Sequence, residues 1–348
     1  MEINENHNVM RELSNYNLLP NNTFGIEARC KRFLEYSSVA DAQKVAQLLN
    51  TSNDPLLIIG GGSNLLLTKD FQGTVVHSTI SGYETETEAI SGDILMRCGA
   101  GMTWDDVVDI CVENGWHGAE NLSLIPGEVG ASAIQNIGAY GAEAKDIIEK
   151  VEAVCIETGE PVELSKADCQ YAYRDSRFKN DWKNKFLITY VTYRLSKAFN
   201  PDLDYGNIRN SLNAKGIDMP TASQLRQTII EIRRAKLPDP EVLGNAGSFF
   251  KNPIVTHDIF EKLLTKYENI PHYIIDESHI KIPAGWMIEQ CGWKGRNLGH
   301  ASVHKNQALV LVNNGGATGK EILELCNRII ADVKNRFGIE IHPEVNII

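Results

Sequence analysis

The chain of 348 residues has no cysteines spaced as C-x-x-C, and its cysteine count, seven, is odd. A disulfide frame or a zinc site needs paired or clustered thiols. Cys30, Cys98, Cys111, Cys155, Cys169, Cys291 and Cys326 are therefore read as reduced thiols of a cytosolic protein. No apolar run approaches the ~18 residues of a membrane span. The first twenty residues, MEINENHNVMRELSNYNLLP, lack the apolar core of a signal peptide. A cytoplasmic protein without a membrane partner is expected. Positive charge is scarce as well: 34 Lys and Arg face 45 Asp and Glu, for a net charge of -11. A nucleic-acid binder would show a basic face, so no nucleic-acid partner is expected. The one compact basic group, Arg233-Arg234 with Lys236, reads as a solvated helix end. There are no repeats or low-complexity tracts, and no G-x-S-x-G elbow surrounds any serine.

What remains is an ordinary folded composition, 43% hydrophobic and 23% charged, long enough for two or three domains. The first twenty residues are Asn-rich and read as a loosely held extension. SVADAQKVAQLLN predicts a helix started by Ser38 or Asp41. PLLIIGGGSNLLLT reads as a strand, a glycine turn and a second apolar run, and GTVVHS as a further strand. ILMRCGAG is a strand, and TWDDVVDICVENG is a helix from Thr103 stopped by Gly115. VEAVCIETGEPVEL gives two β runs around a turn, and KFLITYVTYRLS a long strand. SQLRQTIIEIRRAK is an amphipathic helix ended by LPDPEV. Beyond it come a helix over Asp258–Tyr267, a short helix AGWMIEQCG and the strand QALVLVNN. A long helix opens on the capping box Thr318-x-x-Glu321, and the terminal IEIHPEVNII reads as a strand. The pattern is α+β.

Several stretches can carry chemistry. Gly60–Leu67, GGGSNLLL, follows a strand and exposes turn N–H groups. It is neither a Walker loop nor a dinucleotide fingerprint, because no G-K-[ST] and no third spaced glycine follow. It is either a phosphate cradle or a tight structural turn. Ser123–Gly141 has nineteen residues, of which nine are Gly, Ala or Ser and one, Glu128, is charged. Such a segment suits contact with a flat polyphosphorylated cofactor, or else a buried crossing of two elements. In YAYRDSRFK, Arg174 offers bidentate anion recognition, or a structural pair with Asp175. Tyr205 lies in a polar loop. Glu344 is a carboxylate in an apolar strand, either edge-exposed or functional. His300 and His304 have no evident third ligand, so no metal is assigned.

Taken together, IIGGGSNLLL, LSLIPGEVGASAIQNIGAYGAE, YAYRDSRFK, GNAGSFFKNP, PAGWMIEQCGWKG, VHKNQALVLVN and the terminal PEV resemble MurB, the UDP-N-acetylenolpyruvoylglucosamine reductase family. The likeness runs from Asn22 to Ile348 in family order. DYGNIRN and KLPDP resemble the type I branch, with its tyrosine loop over the substrate.

The resemblance implies a vanillyl-alcohol-oxidase-type FAD-binding fold plus a C-terminal α+β substrate-binding domain. The implied domains are 1–73 with 331–348, then 74–232, then 233–330. FAD and NADPH are the implied cofactors and UDP-N-acetylenolpyruvoylglucosamine the substrate, with a monomeric chain. FAD contacts carry over to Gly60, Gly61, Gly62, Ser63, Asn64, Leu65, Pro126, Gly127, Ser132, Gly138, Ala139 and Tyr140. Tyr173, Tyr205, Lys236, Asn252 and Gln307 carry over to the sugar-nucleotide and NADPH sites. Arg174 and Glu344 match the pair that stabilises charge on the reduced enolpyruvyl group, and Ser248 matches the proton donor. Some relatives carry a basic residue where this chain has Asn346. Two other readings are a same-fold FAD oxidase and a catalytically silent nucleotide-sugar-binding protein. The joint presence of Arg174, Ser248 and Glu344 speaks against the second.

Overall fold

The computed structural model describes residues 10–348. It divides into two compact units. The first contains the described residues up to Tyr16, with Arg29–Gly61 and Phe71–Arg233; the second contains Asn17–Ala28, Gly62–Asp70 and Arg234–Ile348. The α+β class expected from the sequence holds.

The first unit has two sheets. In one, the order is Arg11–Asn17, Arg29–Tyr36, Phe71–Ser78, Leu56–Ile59. Phe71–Ser78 runs parallel to both of its neighbours. The helix Val39–Asn50 buries Ala42, Val45, Ala46 and Leu49. The Ser38 side chain accepts from Asp41 N at 3.1 Å, so Ser38 is the N-cap. The other sheet is antiparallel, in the order Pro161–Ser165, Ile148–Cys155, Phe186–Leu195, Ile94–Gly99, Tyr83–Thr87. Trp104, the first residue of the helix Trp104–Glu113, is fully buried against Tyr193, with ring centroids 5.3 Å apart. Its indole N–H donates to Leu122 O at 2.9 Å. This anchors the start of the glycine-rich segment.

The second unit is built on an antiparallel sheet, Gly244–Ser248, Val310–Asn313, Ala301–Val303, Asn297–Leu298. The helix Gly319–Phe337 packs on it and buries Ile322, Leu325, Cys326, Ile329 and Val333. A small three-stranded sheet, Ile254–Thr256, His279–Lys281, Tyr273–Ile274, stands beside it.

Two expectations need correction. The N-terminal stretch is not loose throughout: Arg11–Asn17 is an edge strand beside Arg29–Tyr36. The Tyr16 ring stacks on Phe33 at 4.3 Å. Cross-strand pairs Arg11–Glu35 and Arg32–Glu12 lie at 3.1 and 2.8 Å. A polar composition hid these contacts, because the partners are supplied by the neighbouring strand. Residues 1–9 of that stretch lie outside the described residues. The terminal strand is also shorter than expected, since only Asn346–Ile347 pairs, parallel to Leu65–Leu66.

The capping box at Thr318 forms as the sequence predicts. Thr318 accepts from Glu321 N, and Glu321 accepts from Thr318 N at 2.8 Å. Thr318→Ala is expected to lower unfolding stability by about 1 kcal/mol, read as a lower denaturant midpoint. An unchanged midpoint would mean that the cap contributes nothing beyond solvation.

Candidate active site

In the first unit, Gly60 and Gly61 end the stretch that leaves strand Leu56–Ile59. A methyl group on Gly60 would lie 3.2 Å from Glu128 Oε2, and one on Gly61 3.5 Å from Glu128 Oε1. Gly61 therefore has ordinary room for a side chain, and packing inside the protein does not require glycine there. Gly62 is different. Its φ is +66°, and a methyl would fall 1.9 Å from Asn21 O. The backbone of Asn21–Asn22 demands that glycine by itself.

The glycine-rich segment turns at Gly127 (φ +117°) into the short helix Val129–Gln135. Ser132 is buried; its hydroxyl donates to Val129 O at 2.7 Å and pairs with Tyr193 Oη at 2.8 Å. Its N–H bonds Glu128 O at 2.9 Å. Those bonds give Ser132 a packing role. Farther along, Gly138 and Ala139 pair with Ala142–Glu143. A methyl on Gly138 would sit 2.7 Å from Arg174 Nη1 and 2.8 Å from Ala142 O. Tyr140 adopts φ +48°.

Arg174 sits in a tight turn closed by reciprocal Ala172–Asp175 backbone bonds of 3.0 Å. Its φ is +54°, a region that costs an L-residue energy and that turns usually fill with glycine. Its guanidinium donates to Gly138 O and lies 5.3 Å from the Tyr173 ring centroid. Asp175 accepts from Asn180 Nδ2 at 3.1 Å.

Arg233 joins this group, and the sequence reading missed it. Charge patterning puts it on a solvated helix end, yet of the three basic residues only Arg234 and Lys236 are exposed. Arg233 Nε donates to Leu124 O at 3.2 Å. Burial pulls its guanidinium below its ordinary value; the Tyr140 phenol and Asp105 push back, and the like charge of Arg174 adds to the depression. Burial raises the Tyr140 phenol, with Arg233 opposing. Two guanidiniums and a phenol thus share one electrostatic neighbourhood, suited to an anion. The signal available in sequence was helical phase. Arg233 falls seven residues after Arg226, a buried arginine paired with Asp105 and Asp109 at 2.7 and 2.9 Å.

Tyr205 is exposed on a loop that returns to this place. The Tyr140 ring lies 3.5 Å from a methyl built on Gly206, and Tyr205 Cβ 3.4 Å from one on Gly141. Leu203, Ile208, Leu212, Leu225, Ile229 and Ile232 form a small core beneath it.

In the second unit, Ser248 ends strand Gly244–Ser248 opposite Val310, after a register shift that follows Asn245. Gly247 takes φ +66° within that irregularity. Ser248 is exposed between the buried Ala246 and Phe249–Phe250. Glu344 lies alongside, with its N–H bonded to Phe249 O at 2.8 Å. Asn64 Nδ2 donates to Glu344 O at 3.4 Å, and Asn346 donates to Asn64 O through its N–H and Nδ2, at 3.1 and 3.2 Å. Leu65 is buried and pairs with Asn346. The unit therefore brings Asn64, Ser248 and Glu344 together, though they are far apart in sequence.

A second group forms around the helix Ala284–Gln290. Asn252 Oδ1 accepts from Ala284 N at 2.9 Å, and Gln307 Oε1 would lie 3.3 Å from a methyl on Gly285. Gln307 Oε1 also accepts from Leu309 N at 3.3 Å. Next to Lys236, Ala235 O accepts from Asn306 Nδ2 at 3.3 Å, which brings the helix end to the turn that carries Gln307.

Residues 239–348 match the family described as UDP-N-acetylenolpyruvoylglucosamine reductase, C-terminal domain, and residues 31–165 match an FAD binding domain. The UDP-N-acetylenolpyruvoylglucosamine reductase of Bacteroides fragilis is 54% identical over 334 residues, 96% of this chain and 99% of that protein. The chain belongs to the UDP-N-acetylenolpyruvoylglucosamine reductase family. A Pseudomonas aeruginosa protein of the same description is 44% identical, covering 95% of this chain and 97% of its own. The crystal structure of MurB from Thermus caldophilus has the same fold, with a TM-score of 0.66 at 20% identity over 97% of this chain and 98% of that one. An FAD fits the reductase framework of the first unit. Gly61 leaves backbone open where packing does not require it, and the segment up to Tyr140 is small and apolar.

Gly61 and Gly62 are expected to separate on substitution. Gly61→Val should fold with near-normal apoprotein melting but lose FAD, read as flavin absorbance after gel filtration. Gly62→Ala should instead destabilise the fold by about 1–3 kcal/mol, as overpacking does. A flavin-replete Gly61→Val protein would remove the loop from the cofactor site.

Proposed function

We propose that the chain reduces the enolpyruvyl ether of UDP-N-acetylenolpyruvoylglucosamine to UDP-N-acetylmuramate in peptidoglycan synthesis. It would act as a cytoplasmic monomer with NADPH as reductant. Flavin-dependent reductase activity follows from family membership; the residue roles and the three-part division by role are inferred. FAD, when bound, supplies the redox step, relaying a hydride from NADPH to the terminal enolpyruvyl carbon.

The chain's own residues handle the charge and the proton. Hydride addition leaves negative charge on the adjacent carbon and its carboxylate. Arg174 offers a fixed cation to that carboxylate, and Arg233 a second one in the same neighbourhood. Ser248 donates its proton to the adjacent carbon, and Glu344 helps to orient the group. A hydroxyl is a very weak acid, comparable to water. It suffices because its proton is needed only once a strongly basic centre has formed. Lys236, Asn252 and Gln307 would receive the nucleotide diphosphate and sugar, and Tyr173 and Tyr205 are assigned to substrate binding as well. The observation that carries these roles is the irregular strand end, which presents an exposed Ser248 between buried neighbours beside Glu344.

Ser248→Ala is the deciding experiment. Its flavin should still be reduced by NADPH at near the wild-type rate. Reoxidation by the enolpyruvyl substrate should slow by about 10²–10⁴, read by anaerobic rapid mixing. Unchanged reoxidation would remove Ser248 from the mechanism.

For Arg174, replacement by glycine separates strain from function. Loss of the bond to Gly138 O and relief of the left-handed backbone are each worth about 1 kcal/mol and oppose one another. Stability should therefore barely change while kcat falls by about 10²–10³. A raised KM at constant kcat would make Arg174 a binding residue only.

A further inference from the structure

Glu128 is the single charge in the glycine-rich segment, and the roles above do not use it. Both of its carboxylate oxygens face the glycine loop, as the contacts at Gly60 and Gly61 show. Both also face His77 Nε2, at 3.0 and 3.2 Å. The other ring nitrogen, Nδ1, faces Glu35 Oε1 at 3.2 Å. All three side chains are largely buried, with exposures of 12% for His77, 15% for Glu35 and 16% for Glu128. Glu35 and His77 are register partners on adjacent parallel strands. His77 also pairs with Ile59, the last strand residue before the loop.

A neutral imidazole carries one N–H, so it can satisfy only one of these carboxylates. Only the imidazolium donates to both. The cluster therefore carries a charge of about -1 with His77 protonated and about -2 without. The surrounding groups do not alter this count. Arg11 Nη1 meets the outer oxygen of Glu35 at 3.1 Å but is 56% exposed. Phe33 contributes an uncharged ring 6.5 Å away. The Tyr36 phenol donates to Ile188 O, and burial keeps it neutral.

We propose that His77, acting through Glu128, is a proton-linked positioning residue for the cofactor: the loop accepts the FAD diphosphate when His77 is protonated and holds it less tightly when His77 is neutral. The proposal rests on the reading that Gly60–Gly61 receive the diphosphate. In the protonated state the Glu128 carboxylate is neutralised and gripped at the loop. In the neutral state one N–H is left for two carboxylates, and the cluster beside the loop carries one more negative charge where the diphosphate's own charge must settle. Burial alone would drive the proton off His77, but hydrogen bonds and charge from Glu128, and then from Glu35, outweigh it and hold the imidazole above its ordinary 6.5. Bound diphosphate adds to that hold, so FAD binding takes up a proton.

The test uses full-length holoenzyme diluted into buffers from about pH 6 to about pH 8.5, across the histidine range. Flavin released is read by its fluorescence, and proton uptake by calorimetry in two buffers of different ionisation heat. The Kd for FAD should rise roughly tenfold over the range, the limit being tenfold per pH unit for one linked proton. Glu128→Gln should hold FAD more tightly at the alkaline end, with a flattened profile and less proton uptake. A structural role alone would move stability and leave the proton count unchanged. A flat wild-type profile overturns the proposal, as does a full pH dependence that persists in Glu128→Gln. Gly61→Val reports separately: if that protein keeps its FAD, the loop reading itself fails.

Discussion

A methyl group on Gly62 would land 1.9 Å from the Asn21 carbonyl, and the second unit's catalytic candidates are organised around that close approach. Thr23, two residues on, donates its N–H to Gly62 O at 3.3 Å and its hydroxyl to Asn245 O at 2.6 Å. Asn245 N returns a bond to Thr23 O at 2.9 Å. Asn245 Oδ1 then accepts from Gly247 N at 2.9 Å, shaping the irregular strand end that presents Ser248. Phe249 O holds Glu344 N, and Glu344 O holds the Asn64 amide. Asn64 is two residues from Gly62, so the contacts close into a ring. The ring is made mostly of backbone groups, whose hydrogen-bonding demands leave few alternatives once buried. A displacement at Gly62 would therefore pass to Ser248 and Glu344 without either being touched.

The sequence made the glycine stretches visible, but not the different reasons for their glycines. Gly60 and Gly61 border a carboxylate, whereas Gly62 is forced by a carbonyl from a segment some forty residues earlier, and periodicity carries no information about that. Ser132 shows the same limit: it belongs to a cofactor-like motif, yet Tyr193 and Val129 O occupy its hydroxyl. Helices with a clear apolar phase and caps, such as those begun at Ser38 and Thr318, were legible because their signals are local. The edge strand Arg11–Asn17 was not, because its stability comes from Phe33, Glu35 and Arg32 on another strand. The Glu35–His77–Glu128 cluster was invisible for the same reason, its members being separated by 42 and 51 positions.

The net charge of -11 looks unfavourable for a protein that handles a nucleotide diphosphate and a carboxylate. The structure resolves this by locality. Most acidic groups are exposed or paired with surface cations, where solvent screens them. Arg174 and Arg233 instead share a partly enclosed neighbourhood with the Tyr140 phenol, where a fixed charge acts at a lower effective dielectric. Composition excludes an extended basic face; it says nothing about two guanidiniums brought together by a turn and a helix.

The backbone in that neighbourhood carries its own sign of function. Leu124, Asn136, Tyr140 and Arg174, none of them glycine, all take positive φ within a span of about fifty residues. Each costs on the order of 1–3 kcal/mol unless its surroundings fix it. The surroundings do fix them. Leu124 N bonds Asp105 and Leu124 O bonds Arg233. The buried Asn136 side chain accepts from Lys145 N and donates to Ala172 O, at 2.9 and 2.8 Å. Asn121 Nδ2 holds Tyr140 O and Asp202 O at 2.9 and 3.0 Å, tying the glycine-rich segment to the start of the Tyr205 loop. Strain of this kind persists where it positions something, and here it fixes a cation, a phenol and the root of a loop before any ligand arrives. On the role proposed for it, Arg174 would then act on developing charge without first paying to reorient.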